Sequence, residues 1–407
     1  SEAPRRGNEE LFKWDGNPTF GQILPLAAQH VLAAVVGCVT PAILVANAAN
    51  NAGGNVNMGL LIQMSLVFAA LSTFLQLYGN KIHLGSGLPV IIGVSFAYVP
   101  TMTAIAAQAQ DVNTIFGAMI VGGIVAIIVG LTIKQIRKVF PPLVIGTVIF
   151  AIGLSLYKTA INYMAGNSAN TYEVIVEQRG QTAALVYGSW QNWLVSLVTL
   201  AIVIGLNHYG KGLFKLASIL IGLVCGYVLA LCFGMVDFSA VVNASWFALP
   251  KPMHFGIKFE PSSCVAIGVL FAINSIQAIG DFSATTTGGL DRMPTDEELN
   301  GGIVGYGLSN IVCAFFGGLP TATYSQNVGI VTTTKVINRW VLGLAAAILG
   351  IAGLVPKFSA ILTTIPQCVL GGATVSVFAS IAMTGMKLVA SAEMDYRNSS
   401  IVGLAAA

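Results

Sequence analysis

A few polar side chains stand inside otherwise apolar sequence, and their types limit the chemistry open to them. Ser325-Gln326-Asn327 sets a hydroxyl and two adjacent carboxamides between the apolar runs Ile303–Phe316 and Trp340–Val355. Gln277 and Asp281 lie four residues apart in a third apolar run, and so on one face if that run is helical. His30, preceded by Gln29, sits in the first apolar run. Carboxamides carry paired donors and acceptors, which suit a polar ligand presenting both. They also suit exposed backbone around a break in a helix, and for Asn327 a structural bond between strands is the favoured role. Ionisable residues deep in apolar sequence are candidates for coupling or gating, which makes Asp281 and His30 the residues to follow. Their plainer roles are a helix cap for Asp281 and an inter-helix hydrogen bond for His30.

The elements that hold these residues must lie in a membrane. Hydrophobic residues make up 55% of the 407 and charged residues only 9%, with a mean hydropathy of +0.80. A soluble domain carries about a quarter charged residues. Runs long enough to cross a bilayer fall at 23–47, 57–78, 87–107, 114–133, 140–158, 191–207, 213–235, 263–280, 301–317, 320–336, 339–355 and 359–386, and another starts near Ser400. A chain that stops inside an apolar run reads as one whose C-terminal spans are missing. Residues 1–21 are polar and the first apolar run is too long for a cleavable leader. Cys38, Cys225, Cys232, Cys264, Cys313 and Cys368 stand singly in apolar runs and read as packing residues, not as a disulfide or metal framework.

Charge orients the spans. With a cytoplasmic N-terminus, the inner segments hold Arg5, Arg6, Lys13, Lys81, Lys134, Arg137, Lys138, Lys211, Lys215, Arg292, Lys335, Arg339, Lys387 and Arg397. The outer ones hold only Lys158, Arg179, Lys251, Lys258 and Lys357. That asymmetry follows the positive-inside rule, and it counts the two broken runs, 87–107 and 320–336, as full crossings.

Those two runs are alike. Gly318-Leu319-Pro320 opens a turn, a β-branched alternation and then Gln326-Asn327, which reads as a short extended segment followed by a half-helix starting near Gln326. Gly87-Leu88-Pro89 heads a similar passage through Ser95-Phe96-Ala97-Tyr98. Downstream, Phe140-Pro141-Pro142-Leu143-Val144-Ile145-Gly146 matches Ile365-Pro366-Gln367-Cys368-Val369-Leu370-Gly371. Pro320 follows Pro89 by 231 residues, and Pro366 follows Pro141 by 225. Two matched pairs at nearly one offset predict two related halves, a plan common in secondary transporters. The expected division is a cytoplasmic N-terminus (1–22), a first repeat of spans one to seven (23–235), an extracellular connection (236–262) and a second repeat from span eight (263–407).

Ser325-Gln326-Asn327-Val328-Gly329-Ile330-Val331-Thr332-Thr333-Thr334-Lys335 resembles the signature of the nucleobase–ascorbate transporter family, the uracil/xanthine permeases and nucleobase:cation symporters. Gln29-His30, Ser95-Phe96-Ala97 and Gln277-Ala278-Ile279-Gly280-Asp281 also match that family, and the resemblance covers essentially the whole chain. It implies an all-α polytopic membrane protein with a seven-plus-seven inverted repeat, divided into core and gate domains. Spans three and ten would each hold a short strand, the two pairing antiparallel. It further implies uptake of a nucleobase coupled to H+ or Na+, no other cofactor, no nucleic-acid partner, and a homodimer in the plasma membrane.

By that resemblance the substrate-binding residues are Gln326, Gln277, Phe96, Ser325, Asn327 and Ala97, with Asp281 and His30 in coupling or gating. Glutamine rather than glutamate at position 326 points to an oxopurine, xanthine or urate, with uracil as the alternative. Phe96 stands where the family places an aromatic that stacks on the base, although a lone Phe in a membrane protein is often packing. Xanthine transporters of the family often have an amide where this chain has Ala97. Gln277 stands where the family usually has a glutamate, and Tyr306 where relatives often have an acid or Asn; neither replacement can take over a carboxylate's charge near neutral pH.

Other classes fit less well. A channel would show a continuous polar stripe or charged rings. An enzyme needs a nucleophile–base pair or a metal cluster, and His30, His83, His208 and His254 are scattered over different segments. An anion transporter of the same plan wants a bare helix N-terminus and a basic residue where this chain has Gln-Asn. The acidic stretch Asp291–Glu298 reads as a solvated loop with a helix start at Thr295.

Overall fold

The computed structural model describes residues 9–135, 141–167 and 187–407. Phe140, and the charges Arg5, Arg6, Arg137, Lys138 and Arg179 in the orientation count, lie outside the described residues. In chain order the elements are α1 (Phe20–Asn51), α2 (Met58–Tyr78), β1 (Ile92–Val94), α3 (Val99–Ala109), α4 (Asn113–Leu131), α5 (Pro142–Met164), α6 (Trp190–Tyr209) and α7 (Ser218–Cys232). Then come α8 (Pro261–Gly289), α9 (Asp296–Phe316), β2 (Thr321–Thr323), α10 (Ser325–Thr334), α11 (Arg339–Gly353), α12 (Pro356–Thr363), α13 (Gln367–Ala390) and α14 (Tyr396–Ala406). Among the described residues, eight helices are individually long and apolar enough to cross a bilayer.

Helix starts follow local chemistry. The Asn57 side chain caps α2 by accepting from Leu60 N–H at 3.1 Å. Thr295 and Glu298 form a reciprocal capping box at the start of α9, at 2.9 and 3.1 Å, and Arg292 grips both Glu298 oxygens at 2.7 and 2.9 Å. The acidic stretch is thus a cap. Glu260 caps α8, accepting from the hydroxyls and backbone N–H groups of Ser262 and Ser263. Those hydrogen bonds, led by the Ser262 hydroxyl, pull its carboxyl down to about 2, so it remains an ionised cap at any physiological pH.

One expected span is corrected. The run 359–386 is not a single helix: α12 stops at Thr363, and α13 starts at Gln367 after Pro366. Proline lacks an N–H and pushes the preceding residue, Ile365, out of the helical region, so the apolar run continues while the helix does not.

Two compact units cut across the halves of the sequence. The first joins Ser1–Val139 to Ser245–Ser359, and the second joins Phe140–Ala244 to Ala360–Ala407. In the first, α4 packs on both α8 and α9, α2 packs on α11 and α9, and α1 lies along α11, α2 and α3. In the second, α13 packs along α5 and α6, α7 lies on α6, and α14 lies on α5. The α4–α9 crossing is close because it is made by facing glycines. A Cβ on Gly307 would come within 2.6 Å of Gly123 O, and one on Gly123 within 2.7 Å of Gly307 O. Small residues of this kind let membrane helices approach backbone to backbone.

Gly307→Ala is therefore expected to destabilise the protein by about 1–3 kcal/mol, the usual cost of overpacking. The midpoint of thermal unfolding in detergent measures it. Gly205→Ala is the control, since no neighbour lies within 4 Å of its added Cβ.

Candidate functional site

The expected half-helix starts at Ser325, and the paired strands that the resemblance implied are present. β1 and β2 run antiparallel in the register Ile92↔Thr323, Gly93↔Ala322 and Val94↔Thr321. Tyr324 N–H donates to Ile91 O at 2.9 Å and Ser95 N–H to Pro320 O at 3.2 Å, closing the two ends of the ribbon. Each strand then turns directly into a helix. Ser95 Oγ accepts from Ala97 N–H at 3.1 Å and starts a tight turn, Phe96–Tyr98, that leads into α3. β2 leads through Tyr324 into α10. Both short helices thus begin at the ribbon, each presenting its positive N-terminal end there.

A two-stranded ribbon at membrane depth has outer edges to satisfy. Thr73 Oγ1 of α2 meets the β1 edge, donating to Ile92 O and accepting from Ile92 N–H, both at 3.0 Å. Asn310 of α9 meets β2: its Oδ1 accepts from Thr321 N–H at 3.0 Å and its Nδ2 donates to Thr321 Oγ1 at 2.9 Å. Tyr324 crosses the ribbon and donates its hydroxyl to Val94 O at 2.7 Å. That crossing requires glycine at 93, because a Cβ there would lie 2.5 Å from the Tyr324 hydroxyl.

Asp281 is the electrostatic centre of the site. It is buried on α8 at 8% exposure, and one carboxylate oxygen accepts from Ser325 Oγ at 2.8 Å while the other accepts from Thr323 Oγ1. The carboxylate ties α8 to the end of β2 and the first residue of α10, a favourable place for negative charge. Gln277 lies one turn earlier on α8 and is partly exposed; Gln326, the next residue after Ser325, is exposed. Neither carboxamide hydrogen-bonds to another described residue.

The remaining sequence-derived candidates are placed as follows. Asn327 is buried and faces α1, not the partner strand: its Nδ2 donates to His30 Nδ1 at 3.0 Å and to His30 O at 3.1 Å. The helix that starts at Ser325 turns this side chain away from the ribbon, and Tyr324 makes the cross-strand bond in its place. Nδ1 of His30 acts as an acceptor in this arrangement. Phe96 is buried, and Ala97 is half-buried. Ser325 is exposed, with its hydroxyl committed to Asp281. Tyr306 is buried against Tyr98, the two hydroxyls 2.6 Å apart, with its ring stacked on Phe271.

Several functional positions were missed. Thr323 holds Asp281, and Thr73, Asn310 and Tyr324 hold the ribbon. Only the period-two spacing of Thr321 and Thr323, which sets both on one face of a strand, was a usable signal.

Comparisons with known proteins bear on the family and the fold. A family model described as a permease family (Xan_ur_permease) matches residues 21–406. Xanthine permease XanQ of Escherichia coli K12 is 31% identical over 99% of this chain and 86% of its own length. Uric acid permease PucJ of Bacillus subtilis 168 is 32% identical over 92% of this chain and 80% of its own. Among solved structures, the transmembrane domain of a cyanobacterium bicarbonate transporter, BicA, superposes with a TM-score of 0.65 at 18% identity, covering 95% of this chain and 96% of that one. The inverted-repeat fold is shared with it.

Thr323→Val is expected to cost about 1.5–3 kcal/mol, the usual worth of a hydrogen bond to a charged group, read as a lower unfolding midpoint. Thr332→Val should leave the midpoint in place, since that hydroxyl only returns to Gly329 O of its own helix at 3.0 Å.

Proposed function

The chain belongs to the xanthine/uracil permease family, and from that premise we propose that it is a secondary active transporter taking up an oxopurine, xanthine or urate, by alternating access. The observation that carries the reading is the pair of uncommitted carboxamides, Gln277 and Gln326, linked through Asp281 and Ser325, while the side chains of Thr323, Ser325 and Asp281 bond to one another and Asn327 Nδ2 bonds to His30. Two such amides can match both donors and acceptors along an oxopurine edge. Phe96 supplies a ring for stacking, Ser325 and Ala97 border the base, and Asn327 acts from behind through His30. The names of the relatives, xanthine and uric acid permeases, support a purine over uracil.

In this reading 23–235 and 263–407 are the two repeats, the N-terminus is cytoplasmic in the plasma membrane, and the working form is a homodimer. Uptake of labelled xanthine, urate and uracil, at several pH values and with or without sodium, tests the assignment. Gln326→Ala is expected to abolish binding and uptake with expression intact, and Gln326→Glu to shift preference towards uracil. Near wild-type binding by the alanine variant would refute the site.

Coupling needs a group whose protonation depends on which side the site faces. Gln277 carries no such proton, and Asp281 is the carboxylate next to it. Protonating Asp281 weakens the hydrogen bonds that its charged carboxylate accepts from Thr323 and Ser325, so its proton and the position of α10 are linked. Accumulation in vesicles under an inward proton gradient is expected to be weak in this chain, stronger in Gln277→Glu and absent in Asp281→Asn. Strong gradient-driven accumulation that survives Asp281→Asn would transfer the role to His30 or to sodium.

A further inference from the structure

The polar stretch before α1 is strapped to the rest of the first unit. Asn338 is fully buried, and its amide donates to three carbonyls, those of Glu10, Lys13 and Gly16, at 3.2, 2.9 and 2.9 Å. Ile337 and Asn338 N–H groups reach Leu11 O at 3.3 and 3.2 Å, and Arg339 N–H reaches Trp14 O at 3.4 Å. These bonds hold the strap against the link between α10 and α11.

Where the strap passes into α1, a groove of about 540 Å³ opens between the start of α1, the end of α2 and the first turns of α11. Phe20, Ile23, Phe74, Tyr78, Trp340 and Leu344 line it, all from the first unit. That volume is within the range of small-ligand sites, roughly 300–1,000 Å³. Trp340 and Tyr78 are the side chains that mark a bilayer interface.

Charges of both signs stand beside the groove. The Arg339 guanidinium lies over the Trp340 ring at 5.1 Å and 3.4 Å from the Asp15 carboxylate, and Lys13 is 3.6 Å from Glu10. Arg339 Nε is buried with no hydrogen-bond partner among the described residues.

We propose that this groove is a lipid site that takes one acyl chain of a zwitterionic phospholipid, its phosphate on Arg339 and its ammonium on Asp15. A purely anionic headgroup would meet the like charge of Asp15, and a headgroup without phosphate would leave the Arg339 guanidinium to Asp15 alone. The chain would bridge Pro18 at the end of the strap to Trp340 on α11, so that occupancy braces the strap over the link that follows α10.

Native mass spectrometry of the full, delipidated chain titrated with phosphatidylethanolamine, phosphatidylglycerol or diacylglycerol tests this. The wild type is expected to take one phosphatidylethanolamine at least tenfold more tightly than either other lipid. Ala347→Trp, which fills the groove, and Arg339→Gln should each weaken that binding at least tenfold. Asp15→Asn, at an exposed position, should remove the preference over phosphatidylglycerol, and it keeps the test decisive if either other variant fails to fold. Equal binding of the three lipids, a preference for phosphatidylglycerol, or selectivity unchanged in Asp15→Asn would overturn the proposal.

Discussion

The structure depends on satisfying backbone that has left the helix at membrane depth. Each unpaired N–H or C=O there costs several kcal/mol, and β1 and β2 answer only for the edges that face each other. The outer edges fall to two side chains, Thr73 on α2 and Asn310 on α9. In the proposed division into repeats these are the second span of each, and on that reading the same problem is solved twice by related elements with different residue types. Once the ribbon is held on both sides, α3 and α10 have fixed starting points, and everything polar nearby is placed relative to them.

That scaffold separates the polar groups into those that build the site and those left over. Thr323, Ser325, Asn327, His30 and Asp281 all spend hydrogen bonds on one another or on backbone. Gln277 and Gln326 do not. Neither 88–103 nor 318–331 contains a lysine or arginine, so neither of these two segments offers a full positive charge to an anion. The fold held in common with a bicarbonate transporter therefore says little about the ligand, which is set by a handful of side chains on a shared frame.

Much of this was legible in the sequence where the signal is local. The two Gly-Leu-Pro turns, the half-helix near Gln326 and the cap at Thr295 are each written within a few residues. So is the i, i+4 pair Gln277 and Asp281. What escaped depends on distant partners. Thr323 meets Asp281 across 42 positions and Asn327 meets His30 across 297, and no periodicity reports such a contact. The expected single span 359–386 failed for a different reason: hydropathy measures whether a segment suits lipid, whereas Pro366 acts on backbone geometry. The resemblance implied a division into core and gate domains, but which residues make up each compact unit was hidden, because each is assembled from both halves and carries no compositional boundary.

The ribbon also sets a timetable. Val94 receives its bond from Tyr324, 230 residues further along the chain. At a synthesis rate of about 5–20 residues per second, β1 waits on the order of ten to fifty seconds for its partner. During that interval its far edge is the only one already provided for, since Thr73 precedes it by just 19 residues. The newborn first half therefore sits in the bilayer with one open strand edge, a liability that any chaperone or insertase handling this chain has to shelter until the second half arrives.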